Sequence, residues 1–471
     1  MAAVQPARKA ATVSEGGPRH GAGPRQWFER VWRSIFPRPL QARTDRERAA
    51  LTRFTFLLHL RPVMVPARTL PWTHTFGLGG SSLVLITLLA ATGILNQLVY
   101  QPVPGVAYDS VVSIQDQVPF GALVRGVHWW SANLLVVVLL LHVARVFLTG
   151  GYHGARQFNW VIGCGLLAAV LANNFTGYLL PWDQLAYWAV TISTAMLAYL
   201  PLVGDTLQQV ARGGPEIGTQ TLVSFYTIHT TIVPVALIVL MGFHFWRVRR
   251  AGGVVEPPAA PGEAEGDEAK RLFLPDLLLR EVVQALVIVA VVVVLAALFG
   301  APLDERANPG MSTNPAKAPW YFMGFQELLI HLHPTFAVLV FPLLAGIGFL
   351  LLPYLTADDE PAGRWFLSPT GRRTATLAAV AALMVTPLLV IADELLSGGP
   401  SGLIGGGVLP LALAAGAAAG SFVLARRRYG ASVNEAVQAV VILVAVAFAV
   451  LTLIGVWFRG EGMALVWPWQ R

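Results

Sequence analysis

Four histidines stand inside apolar stretches of this 471-residue chain in two regularly spaced pairs: His128 and His142 are 14 residues apart, His229 and His244 are 15 apart. An ionisable ring is costly in such surroundings and calls for a functional reading. At about 100° per residue, 14 residues fall about 40° short of four turns and 15 run about 60° beyond, so each pair shares a helix face and spans about 21 Å. Two such helices face to face offer imidazole pairs at two levels. That is a donor set for two bis-histidine haem irons, one near each membrane surface.

Glycines repeat the interval on neighbouring stretches: Gly79 and Gly93 are 14 apart, as are Gly163 and Gly177. A glycine removes the side chain where a flat macrocycle approaches a backbone. One such pair would read as ordinary helix packing; four in-phase pairs on four consecutive stretches argue for two levels of haem contact. Arg125 lies three residues before His128 and Arg145 three after His142, one turn toward opposite faces, where each can meet a haem propionate. Arg145 would also serve as a cytoplasmic anchor. Pro234, between the ligands of the later pair, is expected to kink its helix and shape the cleft.

The elements that must carry these residues are membrane helices. The chain is 55% hydrophobic and 13% charged, against roughly 25% charged in soluble domains. Nine stretches are long and apolar enough to cross about 30 Å of hydrocarbon: residues 77–100, 126–147, 157–181, 219–246, 282–303, 334–356, 374–392, 403–425 and 436–458. The fold class is thus an all-α membrane protein with an N-terminal four-helix dihaem bundle and a C-terminal helical half.

The net charge of +7 is spent on particular connections rather than on one soluble face, so no nucleic-acid partner is expected. Arg145, His153 and Arg156 follow the second stretch, Arg247, Arg249 and Arg250 the fourth, Arg364, Arg372 and Arg373 the sixth, and Arg426, Arg427 and Arg428 the eighth. Every second connection is basic, which places those loops and the N-terminus in the cytoplasm and the C-terminus outside; the membrane is expected to be a bacterial inner membrane. Cys164 is the sole cysteine, excluding internal disulfides, thiolate clusters and double-cysteine haem attachment. The first 50 residues carry no apolar signal-peptide core.

Residues 1–24, rich in Gly, Pro, Ala and Arg, read as a disordered tail. Residues 25–76 form a lead-in whose stretch from Trp27 to Phe36 has one apolar face, suited to the membrane surface or to a partner subunit. The dihaem core occupies 77–250, a cytoplasmic linker 251–271, a second half 272–375, and additional helices 376–471.

The motifs along this order resemble the cytochrome b subunits of Rieske-type quinol oxidoreductases, particularly the chloroplast and cyanobacterial branch. The matching pieces are Trp27-Phe28-Glu29-Arg30, Leu78-Gly79-Gly80, Thr92-Gly93, Val127-His128 with Trp130, His142-Val143 with Arg145-Val146, and Leu148-Thr149-Gly150-Gly151. Gly177-Tyr178, Leu180-Pro181-Trp182-Asp183-Gln184, Tyr187-Trp188-Ala189-Val190, Phe225-Tyr226 and His229-Thr230 continue it. Coverage runs from about residue 26 to 250. The second half resembles the family's smaller partner polypeptide, fused here: Asn314-Pro315 leads to Trp320-Tyr321-Phe322, the end of a Pro-Glu-Trp-Tyr quinol-site motif.

The resemblance implies that His128 and His229 ligate an outer non-covalent b haem and His142 and His244 an inner one, with Trp160 helping to hold the latter. It implies an outer quinol pocket lined by Gly177, Tyr178, Trp320 and Tyr321. There a quinol would give one electron to a Rieske iron–sulfur protein, and onward to a c-type cytochrome subunit. The other would cross both haems to reduce quinone near the cytoplasm, with protons released outside and taken up inside. It also implies a homodimeric complex that is a proton-translocating quinol:cytochrome c-type oxidoreductase.

Three departures stand out. The motif reads Ala318-Pro319-Trp320-Tyr321, so its usual glutamate is absent and another base is needed. Glu327 is the first candidate, with His331 and His333 behind it; the alternative is that Glu327 is salt-bridged in place. Trp129 replaces an arginine after the first ligand, and Gly77 stands where that branch has a cysteine holding an extra haem, so no covalent haem is expected. Two other functions compete: a dihaem anchor passing electrons between quinone and a peripheral dehydrogenase or reductase, and a transporter with proton-relaying histidines. The anchor would not need the outer motifs at 177–188 and 314–322; b-haem absorption bands would dismiss the transporter.

Overall fold

The computed structural model describes residues 24, 25, 28, 29, 32, 42–54, 61–258, 269–356, 360, 362–396 and 402–470. The expected disordered tail to residue 23, most of the Trp27–Phe36 segment, His59 and linker residues 259–268 lie outside them. A first unit, Met1–His59, contains the helix Asp45–Phe54. Thr44 and Glu47 open it with a reciprocal cap, each side chain accepting from the other's backbone N–H.

Within Leu60–Arg471, nine helices among the described residues are long and apolar enough to span a membrane. They are Leu78–Gln97, Gly121–Leu148, Gly154–Tyr178, Thr219–Arg250, Phe273–Phe299, Phe336–Leu355, Pro369–Leu396, Ile404–Tyr429 and Val433–Trp457. These are taken as spans one to nine, each overlapping its sequence-predicted stretch. The first span packs on the second and the third on the fourth, while the fifth lies across the first two. The ninth is central to the C-terminal half, touching the seventh, the eighth and a short helix, Met323–His331. Apolar side chains face outward all along the spans, Ile238, Leu298 and Leu388 among them, as lipid rather than water requires.

Three spans carry a π turn two residues ahead of a proline. Ile228–Ile232 precedes Pro234, Phe336–Val340 precedes Pro342, and Ile404–Val408 precedes Pro410. A proline has no N–H for the carbonyl one turn back, and a wider i→i+5 turn accommodates that break without ending the helix. In the fourth span the turn contains His229 itself.

Connections expected on one side meet each other. At the end expected in the cytoplasm, Met64–Pro66 pairs antiparallel with Lys270–Leu272, Arg156 donates to the carbonyls of Ala251 and Gly253, and Gly363 N–H donates to Thr149 O. At the other end Asp183 pairs with Arg306, and Gly462 N–H donates to the Asn314 side chain.

Candidate functional site

Helices one to four bring the four histidines and four glycines together in two tiers. In the outer tier the rings of His128 and His229 have centroids 6.2 Å apart. A Cβ added to Gly93 would lie 3.3 Å from His128 Cε1, and one on Gly177 would overlap the His229 ring, 2.7 Å from Nδ1. In the inner tier, Cβ atoms on Gly79 and Gly163 would each stand 3.6 Å from Cε1 of His142 and His244. Each glycine thus faces the imidazole of its own level, and the nearest atoms it clears are those of the ring.

Hydrogen bonds orient the outer rings. His229 Nδ1 lies 2.9 Å from Asn173 O and therefore carries the proton, leaving Nε2 with its lone pair. His128 Nδ1 lies 2.9 Å from Thr92 Oγ1; that hydroxyl donates to Leu88 O at 2.6 Å, so it accepts from the ring. This is the orientation a metal-ligating histidine needs. Two metal–imidazole bonds of about 2 Å, each with about 1 Å to the ring centre, give about 6 Å between centroids, which the outer pair matches. Among the described residues no group of three or more His, Cys, Asp or Glu gathers to hold a metal ion, so two nitrogens per tier suit an iron whose other ligands come from a porphyrin. The residues present fit the group.

The two arginines lie at the rims of the tiers with partners of their own. Arg125 donates to Gln115 Oε1 and to the carbonyls of Ala301 and Pro302. Arg145 is buried, donates through Nε to His74 O at 3.0 Å, and places Nη2 2.9 Å from His74 Nε2. His74 itself reaches Val255 O at 2.7 Å. Burial, first, and the Arg145 charge hold the His74 imidazole below its ordinary proton affinity. Trp160 donates its indole N–H to Phe349 O at 2.8 Å within an aromatic group of Phe147, Tyr152 and Phe349, so it ties the third span to the sixth. His153, which its basic loop would leave solvated, is buried, its ring 4.3 Å from that of Tyr152. Beside Gly77, whose φ of 58° is left-handed, the space a side chain would take is filled by Gln284, which bonds Phe76 O and Ser81.

At the end expected outside, the 183–188 stretch is bonded to residues 304–311, which lead into the 314–322 motif. Asp183 caps the helix Gln184–Ala195 by accepting from Ala186 N–H at 2.9 Å. Gln184 is buried, donating to Met311 O and accepting from Asn308 N–H, while the Trp188 indole donates to Asn308 O. Trp320 donates to Asn133 Oδ1 in the second span at 2.8 Å, and Phe322 lies edge-on to Phe175. Burial, and then the neighbouring Tyr178, push the Tyr321 hydroxyl above its ordinary range. Tyr178, Trp320 and Tyr321 are therefore gathered at one end of the bundle. Gln326 locks the motif, accepting from Ala318 N–H at 2.7 Å and donating to Ala316 O at 2.6 Å.

Glu327 is fully buried. Its Oε1 lies 2.6 Å from Nη2 of Arg459, also fully buried, and 3.2 Å from Nε2 of His331. His331 Nδ1 reaches Asp393 Oδ2 at 2.7 Å, and Arg459 Nη1 meets Glu394 Oε2 at 3.1 Å. His333 is outside this cluster; its backbone bonds Gly406 O and its Nδ1 is buried without a hydrogen bond. Sequence reasoning missed Asn133, Gln326, Asp393 and Arg459. Arg459 reads as an anchor at the end of an apolar run, and the buried Glu327 was the one clue that a cation must come to it.

This arrangement defines a multi-pass helical membrane protein with a two-tier histidine core. Residues 65–252 match the family model described as cytochrome b/b6/petB. Cytochrome b6 from Prochlorococcus marinus (strain MIT 9515) is 43% identical over 175 residues, which is 37% of this chain and 80% of that protein; cytochrome b6 from Synechococcus sp. (strain WH7803) is similar to the same degree. Among solved structures, a hyperthermophilic respiratory Complex III chain superposes with a TM-score of 0.59 at 22% identity, covering 81% of this chain and 90% of that one, a likeness of fold that reaches well past residue 252. The chain belongs to the cytochrome b/b6 family, and b-type haem binding follows from that membership.

Proposed function

We propose that this chain is the cytochrome b subunit of a quinol oxidoreductase complex that oxidises quinol on the outer side and sends one electron to a Rieske iron–sulfur protein and one across the membrane. His128 and His229 would hold the outer haem, His142 and His244 the inner one. When bound, each haem supplies a one-electron redox centre. The carrying observation is the meeting of each glycine with the imidazole of its own level, two tiers in all, the outer of them at the end of the bundle where residues 183–188 interlock with 304–311.

The chain's own residues then have definite tasks. Nδ1 bonds to Asn173 and Thr92 keep the outer lone pairs aimed inward. Tyr178, Trp320 and Tyr321 line the quinol pocket and Asn133 orients the Trp320 indole. Arg125 and Arg145 close the two rims, where a propionate would add to their present bonds. Residues 272–375 take the place of the family's small partner polypeptide. The likeness to cytochrome b6 and to the Complex III fold supports a Rieske protein and a c-type cytochrome as partners in a homodimeric complex. The basic connections support a bacterial inner membrane with a cytoplasmic N-terminus. A dihaem anchor would have no use for the interlocked outer segments.

The test is His142→Ala in the purified complex. The variant is expected to lose the inner haem alone, halving the b-type absorption while quinol still reduces the remaining centre; retention of both haems refutes the pairing.

A further inference from the structure

Resting on the quinol-oxidising reading, we infer that His331 is the proton-holding group of the outer site and Asp393 its outlet to the aqueous side. The argument starts from a conflict at one atom. His331 Nε2 lies 3.2 Å from Glu327 Oε1 and 3.0 Å from Arg459 Nη2. A guanidinium only donates, so Nε2 accepts from Arg459 when it is bare and donates to Glu327 when it is protonated; it cannot do both. Nδ1, 2.7 Å from Asp393 Oδ2, donates outward in either state. The ring therefore has two bonded arrangements that differ by one proton.

That makes the cluster directional. A proton reaching Glu327 Oε1 passes to Nε2 and the Nδ1 proton passes to Asp393 Oδ2; water-mediated transfer of the ring's remaining proton from Nε2 to Nδ1 then restores the tautomer in which Nε2 accepts from Arg459. One O–H and one N–H bond form on the outward side for each one broken inward. The quinol supplies the proton, the electrons leave separately to the iron–sulfur protein and the outer haem, and water beyond Asp393 takes the proton up. Glu327 has no exposed surface, whereas the Asp393 side chain is 30% exposed, so the chain runs from interior to solvent. It begins on the helix Met323–His331, which follows directly on Trp320 and Tyr321.

Among the described residues, the charged groups facing the ring come from three elements. Glu327 comes from its own helix, Asp393 from the seventh span, and Arg459, whose other end is held by Glu394, from the segment after the ninth; His333 on the following turn bonds elsewhere. Burial alone would raise Glu327, but hydrogen bonds from His331 and Arg459 outweigh it and keep the carboxyl ionised below its ordinary range. Burial alone would lower His331, but Glu327 and Asp393 outweigh it and raise the imidazole above its ordinary value. Glu327 thus conducts and His331 stores, which reassigns the base expected at Glu327.

The test compares the intact wild-type complex with His331→Gln, Asp393→Asn and, as a control that touches Arg459 without touching the imidazole, Glu394→Gln. Reduced b-haem spectra check assembly. Quinol oxidation is followed against pH, and infrared pH titration reads a buried imidazolium independently of turnover. His331→Gln is expected to slow oxidation by about 100-fold, flatten its pH profile and abolish the imidazolium band. Asp393→Asn should slow oxidation while keeping the band, and it carries the test if His331→Gln fails to assemble. Glu394→Gln should keep the wild-type profile. Wild-type rates and profiles in both His331→Gln and Asp393→Asn, or a wild-type protein with no titrating imidazolium assigned to His331, overturn the inference. If the wild-type complex oxidises no quinol, the functional reading falls, and the infrared band still decides whether His331 exchanges a proton.

Discussion

A methyl group on Gly177 would lie 2.7 Å from Nδ1 of His229, where one on Gly79 would lie 3.6 Å from Cε1 of His142. Gly177→Ala must therefore push the ring away from Asn173, at a cost of about 1–3 kcal/mol of overpacking, and the outer haem should be lost or weakly held. Gly79→Ala meets its ring only at ordinary contact and should disturb the inner haem less than Gly177→Ala disturbs the outer one. Haem-to-protein ratios of the two variants measure this; equal ratios would count against the tier geometry.

Arg459 and Glu327 form an ion pair with neither partner exposed. Removing one charge strands the other, so Arg459→Gln is expected to cost about 3–5 kcal/mol, with Glu327→Gln Arg459→Gln recovering part of the loss. Thermal unfolding in detergent, followed by loss of the b-haem signal, gives the ordering. A double variant no better than the single would mean that Glu394, not Glu327, is the partner that matters.

The same cluster sets a pH window. The raised His331 contributes stability that is complete below its ordinary value of 6.5 and is lost as pH rises from there through the raised one. The lowered Glu327 contributes stability that is complete above 4.5 and is lost as pH falls from there through its lowered value. The cluster's contribution should peak between pH 4.5 and 6.5, and His331→Gln should remove the alkaline decline. Melting temperature against pH for both proteins checks the sign.

Asn133 accepts from Trp320 at 2.8 Å across from the second span. Asn133→Leu leaves the indole N–H unpaired, a loss of about 1–3 kcal/mol. A KM for quinol raised about tenfold with both haems retained is expected, since the leucine touches no ligand. Unchanged steady-state kinetics would remove Trp320 from the pocket.

The two tiers were legible because histidine and glycine are conspicuous in apolar helices and their intervals survive into the structure. The ideal-helix count nevertheless left His229 and His244 about 60° past alignment. The π turn at Ile228–Ile232 takes up one residue more than an α turn, so the 15-residue interval acts as the 14-residue one opposite it. Pro234 was the visible clue, read as a kink rather than as the cause of an added residue. The outer motifs were legible as segments, but the bonds that fix each of them, from Gln184 to Met311 and from Trp320 to Asn133, cross more than 120 positions. The buried cluster was the least legible part. Its members come from the helix Met323–His331, the seventh span and the segment after the ninth; Glu327 and His331 stood out in the sequence, while Asp393, Glu394 and Arg459 each read alone as a routine interfacial charge.

The pairing of Asp183 with Arg306, backed by Gln184 on Met311 and Asn308, lies at the end expected outside, whereas the linker at 251–271 is expected in the cytoplasm. The two portions of polypeptide consequently carry complementary mating edges of their own. Cutting the chain within that linker is expected to leave two fragments that still co-purify. What joining them secures is stoichiometry, one copy of each per assembled unit, rather than shape.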